Sequence, residues 1–335
     1  MANVAVLGGG SWGCALAMVL HHNGHQVKVW MHREASVKEI EATHELRGKL
    51  PGVQIPEGIR FSTDLKACVE GSDLIVLAVP STATRSTAAK ISGMVPDGQL
   101  IVAVSKGIEE DTLMIQTEIV ESEIPGADVA VLSGPSHAEE VSRFLPTTVV
   151  AGAKSRETAE RVQNLFMNGV FRVYTSPDLL GIELGGSLKN VIALAAGMSD
   201  GLGFGDNTKA ALITRGIAEM CRLALAMGAR AETLNGLSGI GDLIVTCASR
   251  HSRNRKAGML MGRGYTMEEA MHEVQMVVEG VYSAKAALAL ARKYQVDLPI
   301  IEQVNQVLFH GQSARDAVEE LMLRDRRVEN DRLSW

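Results

Sequence analysis

The stretch over residues 3–19 limits what this chain can fold into more than any other. Residues 4–7, Val-Ala-Val-Leu, form a short apolar run that reads as a buried parallel strand. The run passes straight into Gly8-Gly9-Gly10, and an apolar helical pattern starts at Trp12. Gly8, Gly10 and Gly13 stand at the spacing G-x-G-x-x-G. Gly8 permits the tight turn out of the strand. Gly10 has no Cβ, so a pyrophosphate can approach the backbone. Gly13 lets the helix pack close to the strand. An anion placed there would sit on free N–H groups at the positive end of the helix. A glycine pattern alone is weak, but strand before and helix after is the context the motif requires.

The rest of the first half repeats this alternation. Strands are expected over residues 26–31, 59–62, 73–79, 99–105, 129–132, 147–151 and 171–174. Helices are expected over residues 36–46 and 156–167, with a short one capped by Thr63 or Asp64. Apolar strands alternating with helices predict an α/β fold: a Rossmann-type, doubly wound, mostly parallel sheet. After Pro177-Asp178 the pattern changes. Helices are expected over 179–197, 209–227, 267–273, 283–294, 300–309 and 313–323, with no strand among them. The chain therefore divides into a dinucleotide-binding domain, 1–178, and an all-α domain, 179–335. The charged end, 324–335, is expected to be solvated.

With 335 residues there is ample apolar material for two cores. The net charge of −6 argues against nucleic acid as a partner, without excluding a local basic pocket. No signal peptide precedes the first strand, and no charge-free run of about 18 apolar residues suggests a membrane span. Cys14, Cys68, Cys221 and Cys247 form no C-x-x-C pair and read as reduced thiols of a cytoplasmic protein. His21 and His25 are spaced for a metal, but Gly24 breaks the helix between them, so solvated histidines and no metal are expected.

Several polar residues then stand out. The second strand ends in Met31-His32-Arg33 with no carboxylate at its tip; the nearest is Glu34. A carboxylate there binds the ribose 2′-OH of NADH, whereas an Arg accommodates the 2′-phosphate of NADPH, so NADPH is favoured over NADH. Strand ends at Ser105-Lys106-Gly107 and Ser133-Gly134-Pro135-Ser136 face the expected ligand crevice, and Lys106 adds a cation without an adjacent acidic partner. Lys189 and Asn190 interrupt an otherwise apolar helix. A desolvated lysine has a lowered pKa and can move protons near neutrality; alternatively its stem packs and the ammonium reaches water. Gly239-Ile240-Gly241-Asp242 reads as an acidic turn, and Ser252-Arg253-Asn254-Arg255 as a basic turn whose donors suit a phosphate. Val277-Val278-Glu279-Gly280 sets a carboxylate between an apolar run and a glycine.

Taken in order, these motifs closely resemble bacterial NAD(P)-dependent glycerol-3-phosphate dehydrogenase over nearly the whole chain. The carriers are residues 8–17, 105–109, 133–138, 183–190, 239–243, 252–255 and 278–280. The resemblance implies reduction of dihydroxyacetone phosphate to sn-glycerol 3-phosphate, feeding phospholipid synthesis, by a cytoplasmic and usually dimeric enzyme. It implies cofactor contacts from Ser11, Trp12, His32, Arg33, Lys106, Ala138, Arg253, Val277 and Glu279, beside Gly8, Gly10 and Gly13. Around the substrate it implies Lys106, Gly134, Ser136, Lys189, Asp242, Ser252, Arg253 and Asn254, with Lys189 as proton donor in reduction and acceptor in oxidation. Cys14 stands where many members carry Thr or another small residue. Two other readings compete. A dehydrogenase of the same two-domain type acting on a 3-hydroxy acid would need one carboxylate clamp rather than a phosphate cradle. A non-enzymatic NADPH sensor would need neither Lys189 nor the turn at 252–254.

Overall fold

A computed structural model describes residues 1–326, 328 and 329; most of the charged end expected to be solvated lies outside the described residues. Eight strands form one sheet: β1 (Asn3–Leu7), β2 (Gln26–Trp30), β3 (Arg60–Ser62), β4 (Leu74–Leu77), β5 (Leu100–Ala103), β6 (Asp128–Ser133), β7 (Thr147–Ala153) and β8 (Phe171–Ser176). Their order is β3-β2-β1-β4-β5-β6-β7-β8. Every neighbouring pair is parallel except β6 with β7, so β7 and β8 run against the rest. The first six strands follow the doubly wound order, whose direction of winding reverses between β1 and β4. Ligands bind outside the carboxyl ends of strands at such a point.

Alternation along each central strand explains why helices cover both faces. Val4, Val6, Val76 and Val102 enter one apolar cluster, and Ala5, Leu7, Ile75, Leu77 and Ile101 enter another. Residues i and i+2 share a face, so both faces must be shielded from water. The histidines near the first helix are not simply solvated. His25 Nδ1 accepts from Ala2 N and its Nε2 lies 3.1 Å from the Leu165 carbonyl, while His21 lies against Gly58.

No strand follows Ser176 among the described residues. The helical half is built around one 23-residue helix, Leu179–Gly201, which Asp178 caps by accepting from Gly181 N at 3.0 Å. Every residue from Gly181 to Leu194 is buried. The helix is long and apolar enough to cross a membrane, yet 83% of its most apolar window lies inside the protein, which makes it a core helix.

Glycines let a second helix, Arg253–Gly262, lie directly on this one. A Cβ on Gly258 would fall 2.1 Å from the Leu194 carbonyl oxygen, and one on Gly197 would fall 2.1 Å from that of Arg255. Gly201 and Gly262 face Met259 and Met198 in the same way. Two G-x-x-x-G faces thus meet backbone to backbone, with both helices running in the same direction. This segment corrects the reading of residues 239–255 as turns. Leu237–Gly241 is a π-helical turn that continues into the helix Asp242–Ala248, and Ser252 caps Arg253–Gly262. Glycines at 236, 239 and 241 lower local helix propensity, and tertiary packing overrides it.

A methyl group at Gly258 therefore has nowhere to go. Gly258→Ala should lower unfolding free energy in urea by about 1–3 kcal/mol, its gain in helix propensity notwithstanding. Gly93→Ala, where a Cβ would meet nothing within 4 Å, should stay within about 0.5 kcal/mol of the parent. Equal denaturation midpoints for the two variants would contradict the close crossing.

Candidate active site

The glycine loop has the geometry of an anion cradle. Gly8 has φ +118°, and its N–H and that of Gly9 donate to the Trp30 carbonyl at 3.1 and 3.2 Å. A Cβ on Gly8 would lie 2.6 Å from the backbone of Ala78, and one on Gly13 would lie 1.9 Å from the Gly8 carbonyl oxygen. At Gly10 a Cβ would meet nothing within 4 Å. Gly8 and Gly13 are thus fixed by close packing, whereas Gly10 faces open space. The first intrahelical bond runs from Cys14 N to Gly10 O, so the N–H groups of Ser11, Trp12 and Gly13 point out of the helix without helical acceptors. Trp12 Nε1 is buried with no partner among the described residues. A dinucleotide pyrophosphate fits this set of unspent donors.

At the tip of β2, His32 and Arg33 are exposed. The Arg33 side chain makes no hydrogen bond or ion pair among the described residues. Glu34, the nearest carboxylate along the chain, is paired on its own helix with Lys38 at 2.9 Å. Ala138 opens the short helix Ala138–Val141, packed into the same apolar cluster as the glycine-loop helix.

A second group of residues meets where the sheet's carboxyl edge faces the helical half. Asp242 is 1% exposed and holds two ammonium groups, Lys189 on Oδ1 and Lys106 on Oδ2, each at 2.6 Å. Lys106 has no acidic neighbour along the chain; its partner lies 136 residues away in sequence. Lys106 also donates to the Gly134 carbonyl at 2.9 Å, and Lys189 to Thr246 Oγ1 at 2.7 Å. Lys189 does not reach water: it is 5% exposed. Burial pushes its pKa down to about 8, opposed by the Asp242 charge and assisted by Lys106. Burial alone would raise the Asp242 pKa, but the two lysines outweigh it and hold the carboxyl below the usual range. An ammonium has three N–H donors. Two on each lysine are spent on protein, which leaves one apiece.

Asn190 and Asn254 tie this centre to its surroundings. Asn190 Nδ2 donates to the Lys106 carbonyl at 3.3 Å, Asn254 Nδ2 donates to Asn190 Oδ1 at 2.9 Å, and Gly280 N donates to Asn254 Oδ1 at 2.9 Å. The Asn254 side chain is therefore a strut, and Ser252 Oγ accepts from Arg255 N as a helix cap. What the segment offers an anion is the N-terminus of a 10-residue helix, the Ser252 O–H and the half-buried Arg253, whose Nη1 donates to the Val277 carbonyl at 3.3 Å. Glu279 bridges the two halves, accepting from Ser81 N at 3.1 Å and pairing with Ser81 Oγ. Burial raises its pKa, opposed by Ser81 and Arg253. Ser136 Oγ donates to the Gly134 carbonyl at 2.9 Å. Beside it, His137 is pushed down to about 4 by burial and then by Lys189, so it stays neutral near the two lysines.

Sequence reasoning missed Thr246, whose i, i+4 spacing from Asp242 was the available signal once a helix was assigned. It noted Asn190 without giving it a role.

A dinucleotide loop at a sheet switch point, with a buried lysine pair across the crevice, defines a two-domain oxidoreductase that uses a nicotinamide dinucleotide. Comparison with known proteins narrows the class. Residues 3–159 match the family model for the NAD-dependent glycerol-3-phosphate dehydrogenase N-terminus, and residues 178–319 match that for its C-terminus. The glycerol-3-phosphate dehydrogenase [NAD(P)+] of Agathobacter rectalis is 66% identical over 335 residues, covering both chains completely. That of Bacillus subtilis is 52% identical, covering 99% of this chain and 97% of that protein. A crystal structure of glycerol-3-phosphate dehydrogenase from Coxiella burnetii superposes with a TM-score of 0.93 at 37% identity, covering 96% of this chain and 99% of that one. The chain belongs to the NAD-dependent glycerol-3-phosphate dehydrogenase family. A ketopantoate reductase from Ralstonia eutropha, at 17% identity and a TM-score of 0.60, shares the fold alone.

Removing Asp242's charge would leave the buried Lys189 ammonium and the partly buried Lys106 ammonium without a counter-charge. Asp242→Asn should cost about 3–5 kcal/mol of stability near pH 6. Without Asp242 the Lys189 pKa falls further, so the folded variant sheds that proton at a lower pH than the parent. Its stability then rises with pH where the parent's does not, and the deficit should narrow as pH approaches 8. Urea titrations at both pH values check this; a deficit that is absent or independent of pH would contradict the shared pairing.

Proposed function

We propose that this chain reduces dihydroxyacetone phosphate to sn-glycerol 3-phosphate, and runs the reverse reaction, with NADPH preferred over NADH. Residues 1–178 hold the dinucleotide, and residues 179–335 supply most of the substrate site and the proton carrier. The observation that carries the reading is the buried Lys106–Asp242–Lys189 centre, with one unspent N–H on each lysine. With both lysines protonated the centre carries a net positive charge, and Arg253 adds another beside it. A buried cationic pocket in a chain of net charge −6 suits a phosphorylated substrate far better than a neutral one.

A nicotinamide held there would supply the hydride in reduction and take it back in oxidation. The protein does the rest. The Ser11, Trp12 and Gly13 N–H groups hold the pyrophosphate, with Gly10 leaving room for it. His32 and Arg33 read the 2′-phosphate, an assignment supported by the unengaged guanidinium and the absence of a free carboxylate at the β2 tip. Ala138, Val277 and Glu279 complete the cofactor side. The first-turn N–H groups of Arg253–Gly262, the Arg253 guanidinium and the Ser252 O–H hold the substrate phosphate. Gly134, Ser136 and Lys106 line the side towards the sheet. Lys189 donates its proton to the ketone oxygen as that oxygen becomes an alkoxide, and recovers one in oxidation. Asp242 and Thr246 aim it. General acid catalysis of this kind contributes typically about 10²–10⁴-fold. The resemblance further supports a cytoplasmic homodimer that feeds glycerophospholipid synthesis.

The test is a paired substrate and cofactor competition. Dihydroxyacetone lacks the phosphate and forfeits several charge-assisted hydrogen bonds, each worth about 1.5–3 kcal/mol. Its kcat/KM should be at least about 10²-fold below that of dihydroxyacetone phosphate. Arg33→Asp should weaken NADPH far more than NADH. Comparable kcat/KM for the two ketones would overturn the substrate assignment, and equal loss of both cofactors would overturn the role of Arg33.

A further inference from the structure

Glu183 lies on the helix Leu179–Gly201, six residues before Lys189, and is 4% exposed. Six residues span about 9 Å of helix, and Glu183 makes no hydrogen bond to Lys189 or Asp242. Its carboxyl group reaches into the other half of the molecule. There Oε1 accepts from Thr117 N at 3.1 Å, and Oε2 pairs with Thr117 Oγ1. Thr117 is the second residue of the helix Gln116–Glu123, where a backbone N–H has no acceptor within the helix. The residue before that helix is Ile115, whose side chain offers no oxygen, so the cap comes from the helical domain instead. A buried carboxyl is costly to keep without such partners, and burial pushes the Glu183 pKa up to about 8 against the pull of Thr117.

The neighbour of Thr117 shows what the contact holds in place. Gln116 is 1% exposed; its Nε2 donates to the Gly107 carbonyl at 2.9 Å, and Thr84 Oγ1 donates to its Oε1. One residue earlier, the Lys106 carbonyl accepts from Asn190 Nδ2. The Lys106 loop is thus gripped at two consecutive carbonyls. One grip comes from the helix that carries Lys189, the other from the helix that starts at Gln116. The Glu183–Thr117 contact joins those two helices.

We infer that Glu183 is a positioning residue for the reaction: by bonding Thr117 it locks the helix bearing Lys189 to the helix that holds the Lys106 loop, and so fixes the separation of the two lysines on Asp242. The inference rests on the proposed roles of Lys106 and Lys189. Turnover of dihydroxyacetone phosphate by the unmodified enzyme, and its loss in Lys189→Met and Lys106→Met, test those roles first and separately.

The experiment compares Glu183→Leu and Glu183→Gln in the full-length chain, with kcat expressed per NADPH-binding site so that unfolded molecules do not count. Glutamine keeps an oxygen for Thr117 N and an N–H for Thr117 Oγ1. Misplacement of about 1 Å at a reacting centre costs up to about 10²-fold, so Glu183→Leu should lose about 10- to 100-fold in kcat. NADPH affinity, set mainly by the glycine loop with His32 and Arg33, none of which Glu183 bonds, should change by less than about twofold. Glu183→Gln should recover kcat to within about threefold of the parent. Should Glu183→Leu fail to fold, Thr117→Val carries the same comparison. It removes the hydroxyl bond alone and should lower kcat several-fold at unchanged NADPH affinity. Full kcat per site in the variant that folds, with only a lowered melting temperature, would show a cap that serves stability and would overturn the inference. A parallel loss of NADPH affinity and kcat would overturn it as well.

Discussion

The Asp242 carboxylate is shared between two ammonium groups that reach it from opposite halves of the molecule, and it brings Lys106 and Lys189 together on one group. Three charged groups taken out of water carry a large desolvation cost, which only short and fully formed contacts can offset. Each lysine accordingly has a second acceptor, the Gly134 carbonyl for Lys106 and Thr246 Oγ1 for Lys189. The arrangement does more than neutralise charge. The Lys106 charge adds to burial in lowering the Lys189 pKa, against the stronger pull of Asp242. A lysine that would be locked in its charged form on the surface becomes able to exchange a proton near neutral pH.

Such a centre is useful only if both halves stay in register. Close backbone contact provides that on the helical side. Gly197, Gly201, Gly258 and Gly262 let two helices touch without intervening side chains, which sets the N-terminus of Arg253–Gly262 beside Asn190. Gly280 repeats the device: a Cβ there would fall 2.6 Å from the Asn190 carbonyl oxygen. Across the domain junction Ile108 and Ile115 join the apolar core of the helical half, and polar contacts add direction. Glu279 on Ser81, Asn190 on the Lys106 carbonyl and Glu183 on Thr117 each link a helix of the second half to a loop or helix of the first. Directional bonds fix orientation where an apolar contact would tolerate sliding.

The cofactor end was legible in the sequence because its chemistry is local. Three glycines within six residues, between a strand and a helix, specify turn, clearance and close packing, and each glycine is found where that logic puts it. The sheet was legible for a related reason: uninterrupted apolar runs mark strands buried on both faces. The catalytic end was not. Lys106 and Asp242 are separated by 136 residues and Lys189 and Asp242 by 53, and no local pattern announces either pair. Residues 239–243 and 252–255 were misread as turns, the first because the glycines at 236, 239 and 241 lower local helix propensity. Close packing at Gly239, Gly258 and Gly262 is what lets these stretches sit in helices. The role of Asn254 as a strut depends on partners at positions 190 and 280, and only the folded chain reveals it.

The proposed proton carrier is Lys189, poised by burial and by its neighbours. Its most direct test is the pH dependence of kcat/KM, which reports groups of the free enzyme, measured in both directions of the reaction. Reduction needs the protonated lysine and should fall as pH rises through about 8, while oxidation needs the neutral amine and should rise through the same value. Lys189→Met should remove both limbs while leaving NADPH binding in place. Opposed limbs that cross near pH 8 are the expected result. A reduction rate that stays flat from about pH 6 to about pH 10, or limbs that survive in Lys189→Met, would contradict the account.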